Sequence, residues 1–431
     1  MAATKRPCFC CKPPPPRTTS SSSGQNHNNN SKHKRLRPAL PADATAMHDD
    51  MVEEEAVSPT TTTTTTPQPL LPGLPDHLAQ LCLSPLSPRL LHAVCRPWRR
   101  LMYTPSFPPF LSLYALLDDA DADAGVSFAA YDPLAGRWDA LPPPPMPSPP
   151  PMLWLPSFLA RRLPLQSVAA AGRLVLVSGS THSLQPALSR PLVFDPAAPT
   201  PRWQLGPRMP LSPRRWCAAG AARGRVFVAG GVGAGYDPAV ARSCAVWDPA
   251  APSAAWEQIP PLRDGRFSRD AAEAVCSGGK VCMVNLRSRG PKEGAVFDLR
   301  AGRWEDMPPG MLAGWKGPAA ASSPDSGETI YVVDEERGAL TAYDWGTDRW
   351  KTVAESERLK GAEEMAIAGG RACVVVPGGA KVLIVDITPP KRASPRWESL
   401  PPPPPRMWEV AAPAGKRVVA LHVLPRMTRP E

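Results

Sequence analysis

The residue types that run most enzymatic chemistry are sparse in this chain and do not converge. Beyond residue 105 there are two histidines, His182 and His422, far apart in sequence, whereas a catalytic metal needs several imidazole, thiolate or carboxylate ligands around one open position. Cys217, Cys244, Cys276, Cys282 and Cys373 stand in apolar runs, and none of the five forms a C-x-x-C pair, so they read as buried, reduced thiols. The paired acids Asp118-Asp119 and Glu363-Glu364 are expected in loops, solvated rather than catalytic. No phosphate loop, nucleophile elbow or H-E-x-x-H occurs, and the glycine-rich GGVGAGYDP at 230–238 is expected to lack the following helix that a dinucleotide needs. The expectation is a protein that is not an enzyme, with no cofactor and no metal.

What does recur is a structural pair. Asp132, Asp195, Asp248, Asp298, Asp344 and Asp386 are each followed by a tryptophan, namely Trp138, Trp203, Trp256, Trp304, Trp350 and Trp397. Steps between successive aspartates are 63, 53, 50, 46 and 42 residues. An aspartate that ends an apolar strand can accept the N–H groups the strand leaves unpaired. A tryptophan six to eleven positions on brings a large apolar face to wedge against a neighbour, with an indole N–H that needs a carbonyl. Prolines follow, with runs at 142–145 and 401–405, and they blunt a strand edge because they cannot donate to a ladder.

Short apolar runs opened by turn residues precede the aspartates, among them GRVFVAGG at 224–231 and GRACVVVPGG at 370–379. A period near 50 with four strands per unit predicts a mainly β fold, a six-bladed kelch-type β-propeller over 106–431. The first unit owns three strands, so the C-terminal stretch is expected to close the ring with the fourth, either Trp408 to Ala412 or Arg417 to Val423.

Residues 1–69 are low-complexity, rich in Ser, Thr, Asn and Pro, with an acidic block at 49–55, and are expected to be disordered. Lys32, Lys34, Arg35 and Arg37 form a basic cluster of the kind an import receptor grips, which fits nucleus and/or cytoplasm. No stretch reaches the roughly 18 apolar residues a membrane helix requires, and Met1 to Lys12 is too polar for a secretory signal, so no membrane partner is expected. The net charge of +10 is spread along the chain without aromatic interleaving, which describes a basic surface rather than a nucleic-acid groove.

Residues 70–105 differ in kind. Apolar positions recur at helical spacing, Asp76 after Pro75 can open a helix, and Pro85 and Pro88 separate a first helix from a second. Such a module carries more apolar surface than it can hide by itself. The stretch LPDHLAQLCLSPLSPRLLHAVCRPWRRL resembles an F-box at both ends, through Leu74, Pro75, Asp76, Leu78, Leu81, Leu90, Val94, Cys95, Trp98, Arg99 and Leu101, although the span from Leu74 to Trp98 is short and Pro97 before Trp98 is unusual.

With the repeats behind it, the chain resembles the plant F-box/kelch-repeat proteins. The resemblance implies a substrate receptor of an SCF-type ubiquitin ligase. The F-box would dock on a Skp adaptor and through it a cullin, and the propeller would hold a target protein. A kelch scaffold outside any ligase is the alternative. Target contacts are expected on the loops leaving second strands and joining blades, among them Arg208, Arg214, Arg215, Arg263, Arg266, Trp315, Lys316, Arg358, Lys360 and Arg406, a basic set suited to an acidic or phosphorylated partner.

Overall fold

The computed structural model describes residues 69–119, 126–146, 165–181, 183–251, 254–265, 267, 272–285, 292–322, 328–388 and 405–429. The low-complexity segment, its basic cluster, His182, Arg266 and Trp397 lie outside these residues.

The chain enters through three short helices, α1 (Asp76–Leu83), α2 (Pro88–Val94) and α3 (Arg96–Leu101). Proline explains their boundaries. Pro75 stands at the α1 N-cap with Asp76 in the first turn, and Pro88 is the first residue of α2, capped by the Ser87 hydroxyl accepting from Leu90 N–H at 3.3 Å. The unusual Pro97 falls in the first turn of α3, where its missing N–H has no helical partner to lose.

Among the described residues, twenty-four strands then form six four-stranded antiparallel sheets. Blade 1 joins β1 (Leu111–Asp119), β2 (Val126–Asp132) and β3 (Arg137–Ala140) to β24 (Lys416–Pro425), which pairs with β1 from Leu111↔Pro425 to Asp119↔Lys416. Blades 2 to 6 are β4–β7 (165–205), β8–β11 (218–259), β12–β15 (272–306), β16–β19 (319–355) and β20–β23 (364–411). Each pair of neighbouring blades encloses its own apolar cluster, six around the ring, and a seventh lies under the helices. Inner strands are built from small residues because they approach closely: a Cβ on Gly220 of β8 (Ala218–Ala222) would sit 2.7 Å from the Ala274 carbonyl of the next blade.

The repeated pair works as its chemistry suggests. All six aspartates accept backbone N–H groups two or three residues on, from Leu134 N–H to Asp132 at 2.8 Å through Thr388 N–H to Asp386 at 3.1 Å. Five tryptophans donate their indole N–H to a carbonyl at or beyond the end of the outer strand of the preceding blade: Trp138 to Ala411, Trp203 to Pro142, Trp256 to Pro207, Trp304 to Pro260 and Trp350 to Gly310. The phrase is therefore a rivet between blades.

Several expectations need correction. The ring is closed by the Arg417–Val423 alternative, within β24. Trp408–Ala412 instead falls almost wholly in β23 (Met407–Ala411), the outer strand of blade 6, pairing with β22 (Lys381–Asp386). Asp118 is no solvated loop acid: it is buried on β1 and bonded to Arg417 of β24. Glu364 opens β20 (Glu364–Ala368), and Glu363 accepts the Gly378 N–H. A helix does follow GGVGAGYDP, the five-residue α4 (Pro238–Arg242), but it leads into β10 (Cys244–Trp247), antiparallel to β9 (Arg225–Ala229), so no parallel crossover forms.

Candidate docking surfaces

Alternating strand direction sorts the connections between the two ends of the ring. One end carries the aspartate turns and the turns from inner to second strands; the other carries the loops leaving second strands and those joining blades. Residues before β1 and after β24 both lie at the aspartate-turn end, and there the helices are seated.

The seat is polar and buried. The Tyr103 hydroxyl donates to Asp132 at 2.5 Å, and the Arg429 guanidinium lies 4.2 Å from the Tyr103 ring while pairing with Asp132 at 2.9 Å and Asp139 at 2.7 Å. Arg426 reaches the Thr104 carbonyl at 2.6 Å, and its own N–H donates to the Phe110 carbonyl at 2.8 Å. Burial and the bond to Asp132 push the Tyr103 phenol well above its ordinary range, so it stays a donor. Sequence reasoning missed Tyr103, Arg426 and Arg429, since nothing in the spacing of residues 297 positions apart links Asp132 to Arg429.

Seated this way, the helices divide their apolar residues. Leu83, Leu91, Leu101, Met102 and Phe107 pack inward with Leu134 of the first aspartate turn, and the Trp98 indole N–H donates to the Leu70 carbonyl at 2.8 Å. Trp98 and Leu101 therefore hold the module together. Leu74, Leu78, Leu81, Leu90 and Val94 remain exposed, Leu81 at 68%, Val94 at 51% and Leu90 at 50%. Pro75 and Asp76 are exposed at the start of α1, Asp76 also accepting the Leu70 N–H.

On the opposite end the expected contact residues separate by environment. Arg208 is exposed and Arg215 half-buried. Arg263, Lys316 and Arg358 sit in ion pairs with Asp306 at 3.1 Å, Asp334 at 3.5 Å and Glu409 at 2.8 Å, and Lys360 pairs with Glu357 within its own loop at 2.8 Å. Three residues cannot serve as expected. Trp315 is wholly buried between blades 4 and 5, edge-on to Trp350. Arg214 is buried and donates to the Gly230 carbonyl at 3.0 Å and the Ser243 hydroxyl at 2.7 Å, so it braces the base of a loop. Arg406 precedes β23 and so belongs to the aspartate-turn end, its carbonyl accepting from Asp386 N–H. It was misplaced because the outer strand of blade 6 was expected to begin at Trp397.

Among the described residues, no group of three or more His, Cys, Asp or Glu is placed to hold a metal ion, and no helix is long and apolar enough to cross a membrane. Burial pushes the thiols of Cys244, Cys282 and Cys373 up to about 12, which keeps them protonated and inert.

The helical module, with its exposed apolar residues, thus stands at one end of a closed propeller, and the loops that join blades stand at the other. No family model matches the chain. It is 41% identical over 379 residues to the F-box/kelch-repeat protein SKIP25 of Arabidopsis thaliana, an alignment covering 84% of this chain and 91% of that protein. F-box protein AFR of the same plant is 27% identical over 62% of this chain and 69% of its own length, and F-box/kelch-repeat protein SKIP4 is 23% identical over 74% and 85%. The chain belongs to the plant F-box/kelch-repeat family.

Proposed function

We propose that this chain is the substrate-recognition subunit of an SCF-type ubiquitin ligase, binding a Skp adaptor, and through it a cullin, with its helices and a target protein with its loop face. It makes and breaks no bond; it supplies proximity between the target and a ubiquitin donor carried by other subunits. The observation that carries the reading is the set Leu78, Leu81, Leu90 and Val94, with Leu74 just before α1, left in water on helices whose inner side is fixed to the ring. Exposed apolar clusters of this kind mark partner surfaces.

Leu81→Asp combined with Leu90→Asp places two charges on this surface without entering the core. Co-purification with a Skp adaptor and cullin should fall at least tenfold while the thermal melt is unchanged. If the wild-type chain recruits neither protein, or the doubly substituted chain recruits both as well as wild type, the ligase reading fails and the kelch scaffold takes its place.

A further inference from the structure

On the loop face around blades 4 to 6, Arg263, Lys316 and Arg358 each pair with a carboxylate, while Lys292 feels the Lys316 charge. The loops of blades 2 and 3, residues 180–191, 206–217 and 230–243, hold Arg190, Arg208, Arg214, Arg215 and Arg242 against one carboxylate, Asp237. Four of these arginines bond to carbonyls instead: Arg190 to Gly206 at 2.6 Å, the buried Arg214 to Gly230 at 3.0 Å, Arg215 to Gly233 at 2.7 Å and Arg242 to Leu262 at 2.9 Å. A carbonyl fixes a guanidinium but leaves its charge uncancelled.

Between the same loops runs a groove of about 580 Å³, lined by Pro186, Pro213, Tyr236 and Val240, by Asp237, whose carboxylate accepts the Ala239 N–H, and by Gly233, whose carbonyl holds Arg215. Arg215 is immobilised at this edge: its guanidinium stacks on Trp216 at 4.5 Å, and Trp216 itself is held at φ +58°, a conformation unfavourable for a bulky residue. The Trp216 N–H donates to Gln166 of β4 (Leu165–Ala170) at 3.2 Å, and the Arg215 Nε is buried with no hydrogen-bond partner. Strain maintained by neighbouring structure around a fixed cation is a mark of pre-organisation.

We infer that this groove between blades 2 and 3 receives an extended, acidic segment of the target protein, with Asp or Glu side chains along the arginines and apolar side chains on the prolines and Tyr236. Apart from the buried Arg214, the tethered arginines Arg190, Arg215 and Arg242 are held at three separate carbonyls, which suits carboxylates strung along a peptide better than one phosphate dianion. This rests on the reading of the chain as a target receptor and names the chemistry of what it takes.

The test uses the full chain and a displayed library of random 12-residue peptides. Retained peptides should carry a net negative charge from Asp and Glu, lose retention as salt rises, and lose at least tenfold in affinity against Arg208→Glu and against Arg215→Glu. Arg208 is exposed, so its variant keeps the fold even if the Arg215 variant does not. The inference is overturned if no peptide is retained, if retained peptides are neutral or basic, if Arg208→Glu binds them undiminished, or if they bind only after phosphorylation. Skp recruitment is measured in parallel: its survival alongside a failed library overturns the groove alone, and its loss overturns the ligase reading alone.

Discussion

Arg429→Met separates seating of the helices from folding of the ring. Methionine keeps the stem over Tyr103 and removes the guanidinium that pairs with Asp132 and Asp139. Two unit charges about 4 Å apart attract by about 4 kcal/mol at an effective dielectric of 20, and desolvation takes part of that back. The side chain of Asp132 is 7% exposed and that of Arg429 31%, which places the pair between surface pairs worth about 0–1 kcal/mol and buried pairs whose one-sided loss costs about 3–5 kcal/mol. Asp132 also keeps Tyr103 and two turn N–H groups, so the loss should be about 2–3 kcal/mol. Read as hydrogen exchange, that is about 30- to 150-fold faster exchange across residues 76–107, with the strands of blades 3 to 5 unchanged. Arg263→Met, which removes one arm of an exposed pair, is the control and should alter neither region. Unchanged protection of the helices, or equal loss throughout the ring, would refute the view that this cluster is a separable seat.

Two further substitutions probe the ring. Arg214→Ala strands the Gly230 carbonyl in a buried site, leaves the Ser243 hydroxyl only its bond to the Val240 carbonyl, and should cost about 3 kcal/mol in urea unfolding, whereas Arg208→Ala should leave the midpoint in place; equal effects would restore Arg214 to the surface. His422 stands 2.8 Å from the Ser167 hydroxyl on the inner strands, and burial lowers its pKa to about 4. The unfolded chain takes up that proton near pH 6.5, so the contribution is complete above 6.5 and is lost as pH falls toward 4, by up to about 3 kcal/mol. His422→Gln should flatten the difference in melting temperature between pH 7 and pH 5, and an unaltered pH profile would show that the ring is solvated.

The aspartate turns and tryptophan rivets were legible because each is local: the Asp bonds two or three residues ahead, and in the first five units the Trp follows it by six or eight residues. Blade 6 misled because its spacing obeys the phrase while its pairing does not. Pro401 to Pro405 follow Trp397, and the strand that pairs with β22 begins only after them, at Met407. Apolar pattern decided the closing strand, since Val418, Ala420, Leu421 and Leu424 all reach the core. Among the contact residues, type and position could not distinguish an arginine in water from one bracing a glycine carbonyl. Arg214 and Arg215 are sequence neighbours, and only the former faces inward.

Closure by β24 also has a consequence for biosynthesis. β1 is translated near the beginning of the ring, and its partner Arg417 follows Asp118 by 299 residues. At about 5–20 residues per second, the unpaired edge of β1 waits some 15–60 s on the ribosome. Arg426 and Arg429 arrive later still, so a nascent chain can display its first helices long before it can fix them. Leu113 and Leu116, buried in the finished ring, spend that interval beside an open β edge. Until the last strand is delivered, the nascent chain therefore carries an open, aggregation-prone strand edge.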